Sequence, residues 1–168
     1  MRITLSSDVP PGPECPDLQH AGSSGQAPDI DAAINALSIA LRAFVADDPI
    51  LNLVAIRVAQ LNHCAPSLAT HIELAKRQGE HPMRLCHVSA WRDSNLFGPR
   101  ERAAFEWGEI IAMSATSVGP ELVDDFTHFA LSSKDISDLS LVVASVNLCS
   151  RLRSTAAALG SAGIRYAG

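Results

Sequence analysis

Four times along this chain an X-Pro step opens an apolar stripe of helical period: Asp48-Pro49, His81-Pro82, Gly98-Pro99 and Gly119-Pro120. Proline at the first helical position loses nothing, because the N–H it lacks has no partner there, and its fixed φ suits the first turn. Each step therefore predicts a helix start. The repetition is punctuation, not an internal repeat.

The stripes behind these starts fill in the rest. Asp29 opens a helix that runs to about Ala46, with Ile34, Leu37, Leu41 and Phe44 on one face. Asp48 caps the next, which carries Leu53, Val54, Ile56, Val58 and Leu61 and ends at Asn62. A helix beginning near Cys64 runs through Ile72, Leu74 and Ala75 to Gly79, with Lys76 and Arg77 in its last turn. Pro82 opens a helix with Leu85, Val88 and Trp91. Pro99 opens one with Glu101 near N3 and then Ala104, Phe105, Gly108 and Ile111. Pro120 opens one with Leu122, Val123, Phe126 and Phe129. Ser132 and Asp135 resemble a capping box ahead of the longest apolar stretch: Ile136, Leu139, Val142, Val143, Val146, Cys149 and Leu152. Leu141 and Leu148 lie on its other side, so this helix is either central to the core or shared with another subunit. No segment alternates as a strand does. The expectation is an all-α single domain, a bundle of about seven helices.

Composition narrows the function. A chain of 168 residues with 47% hydrophobic and 18% charged residues can bury a real core. Lys+Arg number 13 against 18 Asp+Glu, with no basic block, which argues against nucleic acid. No apolar run approaches the roughly 20 residues of a membrane helix. Met1 to Pro13 has no apolar core of a signal peptide. The four cysteines, Cys15, Cys64, Cys86 and Cys149, form no CxxC, so reduced thiols and a cytoplasmic location are expected. Residues 1–28 hold much Pro, Gly and Ser and are expected to form a flexible arm, with Cys15 an incidental exposed thiol. The helical domain is expected over 29–160, with a short tail over 161–168.

Chemistry concentrates in Asn62-His63-Cys64-Ala65-Pro66-Ser67-Leu68-Ala69-Thr70-His71. Ser67 and His71 are i and i+4, and Cys64 is seven residues before His71, so all three fall near one line of a helix. A thiol at the helix N-terminus meets free N–H groups and a positive partial charge, both favouring thiolate. The layout reads as a redox site lacking one sulfur. The competing readings are an inert buried thiol, a Ser67–His71 hydrolase pair, and a metal site with Cys86 and His87. The spacing fits no zinc pattern, and no metal or cofactor is expected.

The run from Leu53 to Cys64 resembles the carboxymuconolactone decarboxylase / alkylhydroperoxidase D-like family, whose members carry an apolar helix followed by Asn-x-Cys-x-x-Cys-x-x-x-His. The resemblance resumes at Ala90-Trp91-Arg92-Asp93-Ser94, at Arg100-Glu101-Arg102-Ala103-Ala104 with Glu109, and at Leu139 to Leu152 with Asn147 and Arg151. It implies a thiol peroxidase in which the second Cys attacks the hydroperoxide and the first resolves it. By position the resolving Cys is Cys64, the His is His71, the attacking Cys falls on Ser67, and the relay Glu falls on Asn52. Cys149 and Ser150 stand where the family commonly has Trp and Asn.

A hydroxyl cannot form a sulfenic acid, and an amide cannot shuttle a proton as a carboxylate does. The internal dithiol cycle is therefore expected to be inoperative, leaving Cys64 with an external thiol reductant. The alternatives are a non-redox small-molecule-binding or assembly protein, and a lactone decarboxylase, for which no Arg pair is evident beside His71. Glu109 is a candidate partner for Arg151, and Trp91 is expected in the core. The resemblance also implies a homo-oligomer, a trimer or hexamer, acting on a small molecule or peroxide.

Overall fold

The computed structural model describes residues 28–46, 48–114 and 118–161, with side chains from Ala36 to Ser154 apart from Phe129. The expected arm and Cys15 lie outside the described residues, as do residues 162–168 and the side chain of Ile34. Seven α-helices are present among the described residues: α1 Pro28–Ala46, α2 Pro49–Leu61, α3 Ala65–Arg77, α4 Pro82–His87, α5 Pro99–Met113, α6 Pro120–Phe129 and α7 Ser133–Ser161. The described residues contain no strand, as the sequence pattern requires.

The end signals act as expected. Asp48 accepts a hydrogen bond from Ile50 N at 2.9 Å and Pro49 follows at N1. Glu101 Oε2 accepts from Gly98 N at 2.8 Å at the head of α5. Ser132 and Asp135 close their box reciprocally, Asp135 N to Ser132 Oγ at 3.1 Å and Ser132 N to Asp135 Oδ2 at 2.8 Å. Gly79 takes φ 82° just past α3, the left-handed conformation that a C′ residue needs.

One helix is shorter than its stripe suggests. The segment from Pro82 leaves α-geometry at His87, tightens into a 3₁₀ turn over Val88–Ala90, and puts Trp91 beyond it. Arg102 explains the break. Its guanidinium donates to the carbonyls of Trp91, Arg92 and Ser94 at 2.6–3.0 Å, satisfying oxygens that a continuing helix would have paired internally.

At the centre lies α2, packed by α3, α5 and α7, with α1 against α7 and α2 and with α6 against α5 and α7. From Leu51 to Ala59 every side chain of α2 except Arg57 is buried. Thus α2 takes the central place. Helix α7 buries Ile136, Leu139, Val142, Val143 and Val146, while Leu141 and Leu148 are 54% and 48% exposed. Trp91 and Phe97 pack on Phe105, and Trp107 meets Phe126 edge-on.

Gly108 sets the α2–α5 spacing. A Cβ there would lie 2.7 Å from Val54 Cγ1 and 3.8 Å from Val143 Cγ2. Valine is stiff at χ1, so the helices themselves must give. Gly108→Ala is expected to lower stability by about 1–3 kcal/mol, outweighing the roughly 1 kcal/mol by which alanine favours a helix. A urea titration measures this; an unchanged or raised midpoint would show the two helices part freely.

Candidate functional site

The site begins with a turn. The last turn of α2 closes through His63 N to Gln60 O and Cys64 N to Ala59 O, both 3.0 Å. This paired closure requires a left-handed residue at position 63, and His63 supplies it at φ 50°. A non-glycine residue there costs about 1 kcal/mol. The turn delivers Cys64 as the N-cap of α3, with Pro66 in the first turn behind it. Asn62 donates to Asn147 Oδ1 at 2.7 Å, and Asn147 donates to Ala112 O at 3.2 Å, tying the turn to α7 and α5.

Cys64, Ser67 and His71 come together as their spacing predicts, and all three are buried. Cys64 Sγ lies 3.2 Å from Ser67 Oγ. Ser150 Oγ reaches the same hydroxyl at 3.3 Å, and Arg153 Nη1 donates to it at 3.0 Å. Burial alone would push the Cys64 thiol up. Hydrogen bonds from the Ser67 side chain and backbone, then from Ser150, together with the charge of Arg153, bring it below its ordinary value.

Asn52 sits beside the imidazole. Its Nδ2 donates to His71 O and to Gln78 Oε1, both at 3.0 Å, so its Oδ1 is the atom 2.9 Å from His71 Nδ1. That pattern assigns the proton of neutral His71 to Nδ1 and leaves Nε2 as an acceptor. Gln78 in turn donates to Val45 O and Ala46 O, so the end of α1, the end of α3 and the imidazole share one network. Asn52 thus positions His71 and cannot take a proton from it.

Burial, followed by the charges of Arg153 and Arg42, lowers the His71 imidazole to about 4. The unfolded chain binds this proton near pH 6.5, the folded chain only near 4, so the stabilisation is complete above about 6.5 and is lost as pH falls toward 4. The expected loss is about 3 kcal/mol, and His71→Gln should flatten that slope. Urea midpoints at pH 7 and pH 4.5 measure it; parallel slopes in the two proteins would contradict the assignment.

A cavity of ≈ 200 Å³ opens between α1, α3 and α7. Ser38, Leu41, Arg42, Ser67, Thr70, His71, Val146, Cys149 and Arg153 line it. Cys64 does not line it and stands behind the Ser67 hydroxyl. The structure corrects the sequence reading here, because an arginine pair does accompany His71. Arg42 comes from α1 and Arg153 from α7, far from the site in the chain. Their one local signal was helical spacing: Ser38 and Arg42, like Cys149 and Arg153, are i and i+4, as are Ser67 and His71.

Other candidates lie apart from the cavity. Glu109 on α5 accepts from Arg57 Nε at 2.6 Å, Trp91 Nε1 at 2.9 Å and Arg92 Nη1 at 2.6 Å. Arg151, suggested as its partner, is exposed on α7. Cys86 is exposed on α4, and His87 Nδ1 lies 3.0 Å from Ser94 Oγ.

The chain is similar to known proteins in sequence and in fold. The model of the carboxymuconolactone decarboxylase family matches residues 28–109. The uncharacterized protein YdfG of Bacillus subtilis is 28% identical over 100 residues, 60% of this chain and 68% of YdfG. The uncharacterized protein YnjA of Escherichia coli is 33% identical over 113 residues, 64% of this chain and 59% of YnjA. A solved structure from Agrobacterium tumefaciens, of a protein of unknown function assigned as a candidate antioxidant defence protein AhpD, aligns with a TM-score of 0.67 at 20% identity. That alignment covers 76% of this chain and 88% of the other, and establishes the alkylhydroperoxidase D-like fold.

Proposed function

We propose, from the match of residues 28–109 to the carboxymuconolactone decarboxylase family model, that the chain is a member of that family and an alkylhydroperoxidase-like oxidoreductase that works through one thiolate, Cys64. The observation that carries this is the placement of Cys64 at the N-cap of α3, with the Ser67 hydroxyl at 3.2 Å and Arg153 on that hydroxyl. Thiolate is the form that attacks peroxide, and every one of these groups favours it.

In this reaction the Cys64 thiolate attacks a peroxide oxygen, the O–O bond breaks, sulfur becomes a sulfenic acid, and the leaving alkoxide takes a proton. An external thiol then attacks the sulfenic sulfur, releasing water and leaving a mixed disulfide. A second external thiol frees Cys64. Ser67 orients the thiolate by hydrogen bonding. His71, fixed by Asn52, offers Nε2 as a proton acceptor. Cys64 lies 3.2 Å behind the Ser67 hydroxyl, and Ser67 lines the cavity. The exposed Leu141 and Leu148 on α7 support burial of that face in a homo-oligomer.

Hydroperoxide consumption with dithiothreitol as donor tests the reading. Cys64→Ser is expected to fall to the uncatalysed background; equal rates for the two proteins would remove Cys64 from the chemistry. One observation favours a second reading, a lactone decarboxylase: Arg42 and Arg153 beside neutral His71 form a cationic pocket with a base. Turnover of a carboxylated lactone that survives Cys64→Ser and is lost in His71→Gln would select it.

A further inference from the structure

Cys149 has no part in the chemistry proposed for Cys64, yet its thiol is the one in the cavity wall. Its side chain is buried, and Ser38 Oγ lies 3.7 Å from Sγ. The charge of the cavity lining calls for an anionic occupant, and the polar groups beside it bear on what else that occupant carries. Arg42 and Arg153 both line it, no carboxylate does, and neither arginine joins an ion pair among the described residues. His71 is 4% exposed and commits Nδ1 to Asn52, so its Nε2 lone pair, with no hydrogen-bond partner among the described residues, is left to take a proton from the occupant or from a thiol. The hydroxyls of Ser38 and Ser67 add donors that a carboxylate can use, whereas Thr70 spends its proton on Pro66 O at 2.9 Å. Exposed Arg42 and half-buried Arg153, beside the apolar walls of Leu41 and Val146, raise the local concentration of small anions. A volume of ≈ 200 Å³ is below the roughly 300–1,000 Å³ of a drug-sized pocket, so the occupant is small.

We propose that Cys149 is a second reactive thiol, one that takes small carboxylates bearing an electrophilic carbon, held in the cavity by Arg42 and Arg153. With an α,β-unsaturated carboxylate, sulfur bonds to the β-carbon, the C=C π bond breaks, and the thiol proton ends on the α-carbon. With a haloacetate, sulfur bonds to the methylene carbon, halide leaves with the electron pair, and the thiol proton passes to His71 Nε2 and on to water. Neither step needs an oxidant or reductant. The site is distinct from Cys64 and adds a covalent ligand class to this fold.

Differential alkylation of the full-length folded protein tests this, with labelled cysteines identified by peptide mass spectrometry. Iodoacetate and iodoacetamide react at the same carbon and differ in charge. Exposed Cys86 in the same molecule is the internal reference. The iodoacetate-to-iodoacetamide labelling ratio at Cys149 is expected to exceed that at Cys86 by about tenfold. In Arg42→Gln/Arg153→Gln the two ratios should converge. Arg42→Gln alone, on an exposed side chain, should lose part of the preference without disturbing the core. An unlabelled Cys149 beside a labelled Cys86, or a preference that survives loss of both arginines, would overturn the proposal. Labelling of Cys149 should persist in Cys64→Ser, so this result and the hydroperoxide assay stand or fall separately.

Discussion

Ser67→Cys is expected to raise hydroperoxide turnover about a hundredfold over the parent with a dithiol donor, and to let the oxidised protein cross-link internally. The position is prepared for sulfur. It is buried at N3 of α3, three residues after the N-cap Cys64, and its hydroxyl oxygen lies 3.2 Å from Cys64 Sγ. A disulfide needs sulfurs about 2.05 Å apart, so the two side chains must close by only about 1 Å. The new thiol would inherit the hydrogen bond from Arg153 and the positive end of α3, and would stand in the cavity wall. A sulfenic acid formed there has Cys64 beside it as the resolving thiol. Asn52 still cannot relay a proton as a carboxylate does, so full peroxidase rates are not expected. Two measurements decide: peroxide consumption, and free thiols counted before and after one equivalent of hydroperoxide. An unchanged rate with no internal cross-link would mean that the missing sulfur is not what limits this site.

The largest expected loss of stability lies away from the cavity. Glu109→Ala is expected to cost about 3 kcal/mol. The carboxylate joins α5 to Arg57 of α2 and to Trp91 and Arg92 beyond the 3₁₀ turn, and its side chain is only 11% exposed. Truncation leaves the Arg57 guanidinium, 17% exposed, and the buried indole N–H without their acceptor. Burial pushes the Glu109 carboxyl up, but Trp91, Arg92 and Arg57 together hold it below the usual carboxylate range. A depressed carboxyl stabilises fully above its unfolded value and loses that contribution as pH falls through the folded one. The parent should therefore shed this stabilisation below about pH 4, under the step that belongs to His71. Urea midpoints from pH 7 downward resolve the two: Glu109→Ala should start lower and lack the more acidic step. A midpoint within 0.5 kcal/mol of the parent at pH 7, to about that precision, would make the network surface decoration.

Both predictions depend on groups with unequal visibility in the sequence. Cys64, Ser67 and His71 were legible because their relation lies within one helix, where Pro66 and Gly79 mark the ends and spacing fixes the face. Glu109 was legible as a position but not in its partners, which come from α2 and from an irregular segment. The early end of α4 was hidden because Arg102, on another helix, pairs the carbonyls that would have continued it. The arginine pair was missed because Arg42 and Arg153 lie on helices far apart in the chain, brought together where Ser38 Oγ meets Cys149 Sγ across 111 residues of sequence.

By itself the amino-acid order determined the helices, their caps, the absence of sulfur at position 67 and the amide at position 52. These follow from proline φ, capping hydrogen bonds and the 3.6-residue period, all of which act over a few residues. Only the tertiary structure decided that α2 holds the centre, that Cys64 lies behind Ser67, and that Cys149, Arg42 and Arg153 enclose a cationic cavity with His71. Those outcomes depend on which faces pack together, and packing is settled by the fit of side chains distant in sequence, such as Gly108 against Val54.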